Sequence, residues 1–165
     1  LTVPNTICVC VSHEEHATQR LFSRMKFMYD SIPPQLKVPA DHSSSYELTF
    51  PDVGSRLYIG TARAPVFGRG DTISILHLSE LAFYPEGKAE ALMAAVTQAV
   101  PLSGTIYIES SPAGRGGLFY KIYQQAREGV IFAPHFYPWW WDADYRLAEG
   151  SYAAPETCRF KFEPD

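Results

Sequence analysis

Residues 72–83 read TISILHLSELAF. From Ile73 to Leu78 the run is largely apolar and β-branched, and it then meets Ser79 and Glu80. This pattern predicts a buried strand over Thr72–Phe83 that delivers a carboxylate to its carboxyl end. Open α/β sheets bind ligands outside the carboxyl ends of their strands. A nucleoside triphosphatase needs a group there to orient or deprotonate water. An acid also falls at such a place when a strand simply emerges into solvent, so the pattern alone leaves both readings open. Further along, residues 104–111 read GTIYIESS, a second strand ending on Ser110 and Ser111 before a glycine-rich turn. Two polar strand ends suggest one edge of an active site. No phosphate-cradling GxxxxGK[ST] loop occurs in the sequence.

Working outward, residues 6–11 (TICVCV) predict a short buried strand. Ser12 with Glu15 three residues on forms a capping-box signature. The following helix places Ala17, Leu21, Met25, Met28 and Ile32 on an apolar face, and Pro33-Pro34 ends it. Residues 36–45 read as loop. Tyr46, Leu48 and Phe50 alternate with polar residues, and a Pro51–Gly54 turn then leads into residues 56–61, which predicts a hairpin. A helix is expected around residues 86–100 with Ala91, Leu92, Ala95, Val96 and Ala99 inward, and another after Gly114, Gly116 and Gly117 with Phe119, Tyr123 and Ala126 on one face. Residues 130–137 read as an edge strand because of Pro134, and a short helix is expected near residues 142–149. Strand and helix alternate apart from the hairpin. That order predicts an α/β fold with a mostly parallel open sheet and flanking helices.

At 165 residues the chain is one domain or a large piece of one, able to bury roughly 70% of its unfolded surface. Its formal charge of −4 gives no basic field of the kind that grips nucleic acid, so this segment is a poor main DNA-gripping surface. Cys8, Cys10 and Cys158 form neither a CxxC motif nor a second pair, and are expected to be reduced, buried thiols. No apolar run is long enough to span a membrane, and no signal-peptide pattern is present. The start Leu1-Thr2-Val3, without methionine and close to a strand, predicts a fragment with sequence upstream.

Other motifs carry plain alternatives. Ser110 and Ser111 could hydrogen-bond an attacking water, or be turn formers before Pro112. Gly114-Arg115-Gly116-Gly117 could hold an anion at a helix start, or make a tight turn. Arg56, Arg63, Arg69 and Arg115 are expected in loops near the active edge, where guanidinium groups suit phosphate; solvated arginines are equally common in loops. Arg69-Gly70-Asp71 matches a cell-adhesion tripeptide by coincidence. His13-Glu14-Glu15-His16 lacks the HExxH zinc spacing, and the helix dipole accounts for its acids. Trp139–Trp141 could stack on bases or pack on a neighbouring domain. No nucleophile elbow or Cys-His arrangement supports covalent hydrolysis.

Taken together, these motifs resemble the large terminase subunit of tailed bacteriophages, the ATPase that drives DNA into proheads. Three blocks carry the resemblance: Gly68-Arg69-Gly70 with HLSELAFYP (77–85), IESSPAGRGGLFYKIYQQA (108–126) and FYPWWWDADYR (136–146). They are similar, in order, to the family's Walker B strand, its coupling motif and the aromatic segment that closes its ATPase domain. The first helix and the hairpin also fit, so the resemblance spans most of the chain.

The resemblance implies an incomplete P-loop NTPase core of the ASCE type over residues 1–165, lacking the phosphate-binding loop upstream and the nuclease domain downstream. Glu80 would polarise water for attack on the γ-phosphate. Ser79 stands where many P-loop ATPases carry a magnesium-associated aspartate, so a hydroxyl or an intervening water would have to serve there. Ser110 and Ser111 would couple phosphate state to movement, and Arg69 would stabilise charge in cis or from a neighbouring subunit. The implied cofactors are ATP and Mg2+ in the full-length protein, with weak binding and negligible turnover by the fragment. The implied partners are double-stranded DNA, the portal protein, the small terminase subunit and further copies in a ring, in the cytoplasm of a bacterial host. Two rival readings are a helicase-like translocase fragment, which would ordinarily carry Asp-Glu at Ser79-Glu80, and a non-catalytic prophage-remnant interaction domain using Trp139–Trp141.

Overall fold

The computed structural model describes residues 3–62, 72–85 and 87–145. The chain divides into two compact units, Leu1–Phe132 and Ala133–Asp165. In the first unit six strands form one sheet. They are β1 (Ile7–Ser12), β2 (Asp41–Ser44), β3 (Glu47–Phe50), β4 (Ser55–Thr61), β5 (Ile75–Ser79) and β6 (Thr105–Glu109). Three helices accompany them: α1 (Glu15–Asp30), α2 (Lys88–Gln98) and α3 (Gly117–Arg127). The strand order is β2-β3-β4-β1-β5-β6. The run β4-β1-β5-β6 is parallel, and β2 and β3 add an antiparallel edge. The mostly parallel open sheet with flanking helices and a hairpin is therefore present.

The alternation of β1 serves both faces of the sheet. Val9 and Val11 join Leu76 and Leu78 of β5 in a core closed by Leu81, Tyr84, and Ala89 and Leu92 of α2, with Leu118, Phe119 and Ile122 of α3 packed against it. Cys10 points the other way, into a second core with Leu48, Phe50, Ile59, and Phe22 and Tyr29 of α1. Burying both faces of a parallel strand requires a continuous apolar run, and this explains the sequence of β1.

The buried side of α1 is Thr18, Phe22 and Tyr29, with Leu21, Met25 and Ile32 half-buried beside them. Met28, expected inward, is 67% exposed. The 18-22-25-29 spacing follows the helical repeat, and its two aromatic rings bury more area than methionine would. Polar atoms on this side are satisfied. Thr18 Oγ1 donates to the carbonyls of Glu14 and Gly60, at 2.9 and 3.3 Å. Tyr29 Oη donates to Val38 O at 2.6 Å. The expected capping box does not form: the N-cap is Glu14, without a side-chain cap bond. Glu15 instead accepts the hydroxyl of Tyr46 at 2.8 Å.

Four further expectations are corrected. Residues 41–44, expected as loop, form β2; a polar edge strand needs only backbone pairing and carries no apolar alternation. The predicted strand over 72–83 is shorter, because the chain turns at Glu80 into a 3-10 turn, Leu81–Phe83. Leu81 and Tyr84 reach the core by folding back rather than by extending the strand. In α2, Ala91 and Ala95 are exposed, whereas Ala89 and Leu92 are buried. Alanines all round a helix give no clear face. Residues 130–137 form no strand, and Val130 and Ile131 are exposed.

In the second unit, Pro138 leads into two 3-10 turns, Trp139–Trp141 and Ala143–Tyr145. The turn stacks Trp139 edge-on against Trp140, with ring centroids 5.8 Å apart, and Phe136 packs on Trp140 at 6.2 Å. The second turn occupies part of the expected 142–149 helix; residues 146–149 lie outside the described residues.

Candidate functional site at the carboxyl ends of β5 and β6

Strands β1, β4, β5 and β6 run parallel, so their last residues share one edge of the sheet. Register places Ser79 opposite Glu109, which brings Glu80 beside Ser110. Glu80 adopts φ 59° and ψ 45°, the left-handed region. For a residue with a Cβ this conformation costs about 1–2 kcal/mol, so surrounding contacts must hold it.

Those contacts engage Glu80 through its carboxylate and its carbonyl. Its carboxylate Oε2 accepts the Ser110 hydroxyl at 3.2 Å and the Ser111 backbone N–H at 3.1 Å. Its carbonyl accepts the Phe83 N–H at 3.0 Å. Ser110 Oγ also accepts the Ala82 N–H at 3.2 Å, tying the 3-10 turn to β6. Tyr84 anchors the far end of that turn by donating its hydroxyl to Val11 O at 2.8 Å; burial pushes this phenol well above its ordinary value.

Glu109 and His77 belong to the site and were absent from the sequence-derived candidates. Glu109 Oε1 accepts His77 Nε2 at 3.2 Å. His77 Nδ1 lies 3.4 Å from Cys10 Sγ. The Cys10 sulfur and the Glu109 carboxylate push His77 up to about 10, against the effect of burial. The His77 hydrogen bond holds Glu109 below its ordinary value. A histidine interrupting an apolar strand, with an acid near the end of the next strand, was the available signal. The pairing itself depends on register, which sequence periodicity does not supply.

The other candidates fall as follows. Ser79 is buried at the end of β5. Among the described residues no group of three or more His, Cys, Asp or Glu could hold a metal ion. Arg56 is not at this edge: it sits at the amino end of β4, opposite Ile7, and donates to Tyr58 Oη at 3.0 Å. Arg115 is exposed in the turn before α3. Arg63, Arg69 and the Arg69-Gly70-Asp71 triplet lie outside the described residues. Gly114 and Gly117 take φ of 89° and 78°, and a Cβ added to either would meet nothing within 4 Å. These glycines serve a left-handed turn, with open space above it. Cys8 and Cys10 are free thiols, and burial raises Cys8 above its ordinary value. No helix among the described residues is long and apolar enough to cross a membrane.

An open, mostly parallel sheet with a constrained carboxylate at one strand end and hydroxyls at the next defines the class: the chain has the fold found in bacteriophage large terminases. The particular structures are these. The large terminase of bacteriophage HK97 superposes with a TM-score of 0.63 at 15% identity, over 79% of this chain and 27% of that one. The large terminase of a thermophilic bacteriophage gives 0.58 at 17% identity, over 79% of this chain and 32% of that one. The same thermophilic phage protein in complex with ADP gives 0.56 at 14% identity, again over 79% of this chain and 32% of that one. At such identities the likeness is one of fold. The chain spans 27% to 32% of the length of these structures. No family model and no curated protein sequence matches the chain.

Proposed function

We propose that residues 1–165 are part of the ATP-hydrolysing motor of a DNA-packaging terminase, in which Glu80 orients and deprotonates the attacking water. The observation that carries this reading is the Glu80 carboxylate, held by Ser110 Oγ and the Ser111 N–H at the carboxyl edge of the sheet. A strained backbone at a strand-end acid belongs where a catalytic group must be aimed. Support comes from the shared fold, and from a structural neighbour determined in complex with ADP. Ser110 and Ser111 bond the carboxylate from β6, so a shift of β6 would reach Glu80 directly; we assign them the coupling role.

The phosphates and magnesium of ATP are assigned to residues beyond those described. Ser79 is buried at the end of β5, so it would approach the ion through an intervening water. Arg69 is proposed as the charge-stabilising arginine. Double-stranded DNA, a portal, a small subunit and further copies in a ring would be partners of the whole protein, in the cytoplasm of a bacterial host.

The test is ATP turnover by the full-length protein and its Glu80→Gln variant. We expect kcat to fall by about 100-fold or more, while ATP binding, followed by calorimetry, changes little. Normal turnover and DNA packaging by the variant would remove Glu80 from the mechanism and favour a non-catalytic role. The isolated 165-residue chain is expected to show negligible turnover.

A further inference from the structure

We infer that Tyr84 is a positioning residue, whose hydroxyl ties the turn carrying Glu80 to β1, opposite the tie that Ser110 supplies from β6. The inference rests on the reading of Glu80 as the water-activating group, and it adds a residue that the sequence motifs did not single out.

Glu80 caps the amino end of the 3-10 turn Leu81–Phe83, and Tyr84 caps its carboxyl end. Two backbone bonds close the turn: Phe83 N–H to Glu80 O at 3.0 Å, and Tyr84 N–H to Leu81 O at 3.2 Å. Residues 80–84 therefore move as one piece. In the sheet β5 lies between β1 and β6, and the piece is tied to both neighbours. Toward β6, the Ala82 N–H donates to Ser110 Oγ at 3.2 Å, and the same hydroxyl donates to Glu80 Oε2 at 3.2 Å. Toward β1, Tyr84 Oη donates to Val11 O at 2.8 Å. Leu78 stands between Val11 and Ile108 in the parallel register, so the two ties lie on opposite flanks of one strand end.

A piece held on one flank only can pivot about that flank. With the Tyr84 tie cut, the turn pivots about Ser110, and Glu80 Oε2 no longer meets the Ser110 hydroxyl and the Ser111 N–H together. The left-handed backbone of Glu80, at φ 59°, favours that movement, because a residue with a Cβ relaxes toward negative φ once it is released. The Tyr84 ring is buried in the core formed by β1, β5 and α2, so water does not replace the bond when the hydroxyl is removed.

The experiment uses the full-length protein. Tyr84→Phe keeps the ring and removes only the hydroxyl. Misplacing a catalytic group by about an ångström costs roughly 100-fold; with the Ser110 tie still in place, kcat is expected to fall about tenfold. KM for ATP should stay within about twofold, since nucleotide contacts are untouched. Tyr29→Phe is the structural control, because Tyr29 Oη makes the same kind of bond, to Val38 O at 2.6 Å, against α1. It should lose a similar amount of urea midpoint while keeping kcat within about twofold. Para-aminophenylalanine at position 84 restores a donor and should recover most of the rate. A crystal structure of Tyr84→Phe should show the Glu80 carboxylate no longer bonded to both Ser110 and Ser111. Should Tyr84→Phe not fold, para-fluorophenylalanine fills the same volume without a donor and takes the same measurements. Wild-type kcat in the Tyr84 variant, or an equal fall in Tyr29→Phe, overturns the positioning role when a Glu80→Gln control is inactive. An active Glu80→Gln control instead defeats the reading of Glu80, and the Tyr84 inference is then decided by the crystal structure: a Glu80 carboxylate still on Ser110 and Ser111 overturns it.

Discussion

Strands β1 and β5 run side by side, end at the same edge of the sheet and are both buried, yet they leave the sheet differently. β1 ends on Ser12, whose hydroxyl lies 3.5 Å from His13 Nδ1, and passes into α1 through an extended N-cap at Glu14. Nothing at that exit is left-handed. β5 ends one residue before Glu80, which is left-handed and held through its carbonyl and carboxylate. The first exit only connects two elements. The second stores strain and fixes a charged group.

The largest expected difference between the two exits is catalytic. In the full-length protein Ser110→Ala removes one hydrogen bond to the Glu80 carboxylate. About 1.5 kcal/mol for a bond to a charged group corresponds to a roughly tenfold fall in kcat. Ser12→Ala should leave steady-state kcat within about twofold. Equal losses at both positions would dissolve the contrast.

A smaller difference, of opposite sign at the two exits, is expected in stability. Compared by urea unfolding, Glu80→Gly should be more stable than Glu80→Ala by about 1 kcal/mol, because only glycine occupies φ 59° without steric cost. At Ser12, the last residue of β1 with ordinary extended pairing to Thr61, glycine should be less stable than alanine by about 0.5–1 kcal/mol. The same sign at both positions would mean that Glu80 is not strained.

The smallest effect concerns pH. His77 is raised from 6.5 to about 10, so its contribution to stability is complete below pH 6.5 and drains away as pH rises toward 10. Glu109 is lowered from 4.5, so its contribution is complete above pH 4.5 and is lost as pH falls through its lower folded value. The pair therefore contributes most between these bounds. Both side chains are partly exposed, and solvent screening leaves on the order of a few tenths of a kcal/mol. Subtracting the melting curve of His77→Gln from that of the wild type across pH should show a shallow maximum in this window.

Much of the fold was legible because burial leaves a pattern. The apolar runs at β1, β5 and β6, the alternation at β3, and the Pro33-Pro34 stop after α1 each follow from packing on a sheet. What was not legible had no apolar signature. β2 is polar and held by backbone pairing, and the 130–137 segment is apolar without being paired. At the site, Glu80, Ser110 and Ser111 were readable as strand ends. Their contact, and the pairing of Glu109 with His77, depend on which strands are neighbours and in what register. Sequence order does not encode that directly, since β1 intervenes between β4 and β5 in the sheet.

Cys10 has a practical consequence as a chemical clock. It lies on the central strand, 2% exposed, between the α1 core and His77. A thiol reagent can reach it only when the sheet opens there, whereas half-buried Cys8 is met sooner. The alkylation rate of Cys10, followed by peptide mass, would therefore time the opening of β1 away from β5. Slowing of that rate when nucleotide is added to the full-length protein would register tightening of the sheet by a reporter that the sequence already carries.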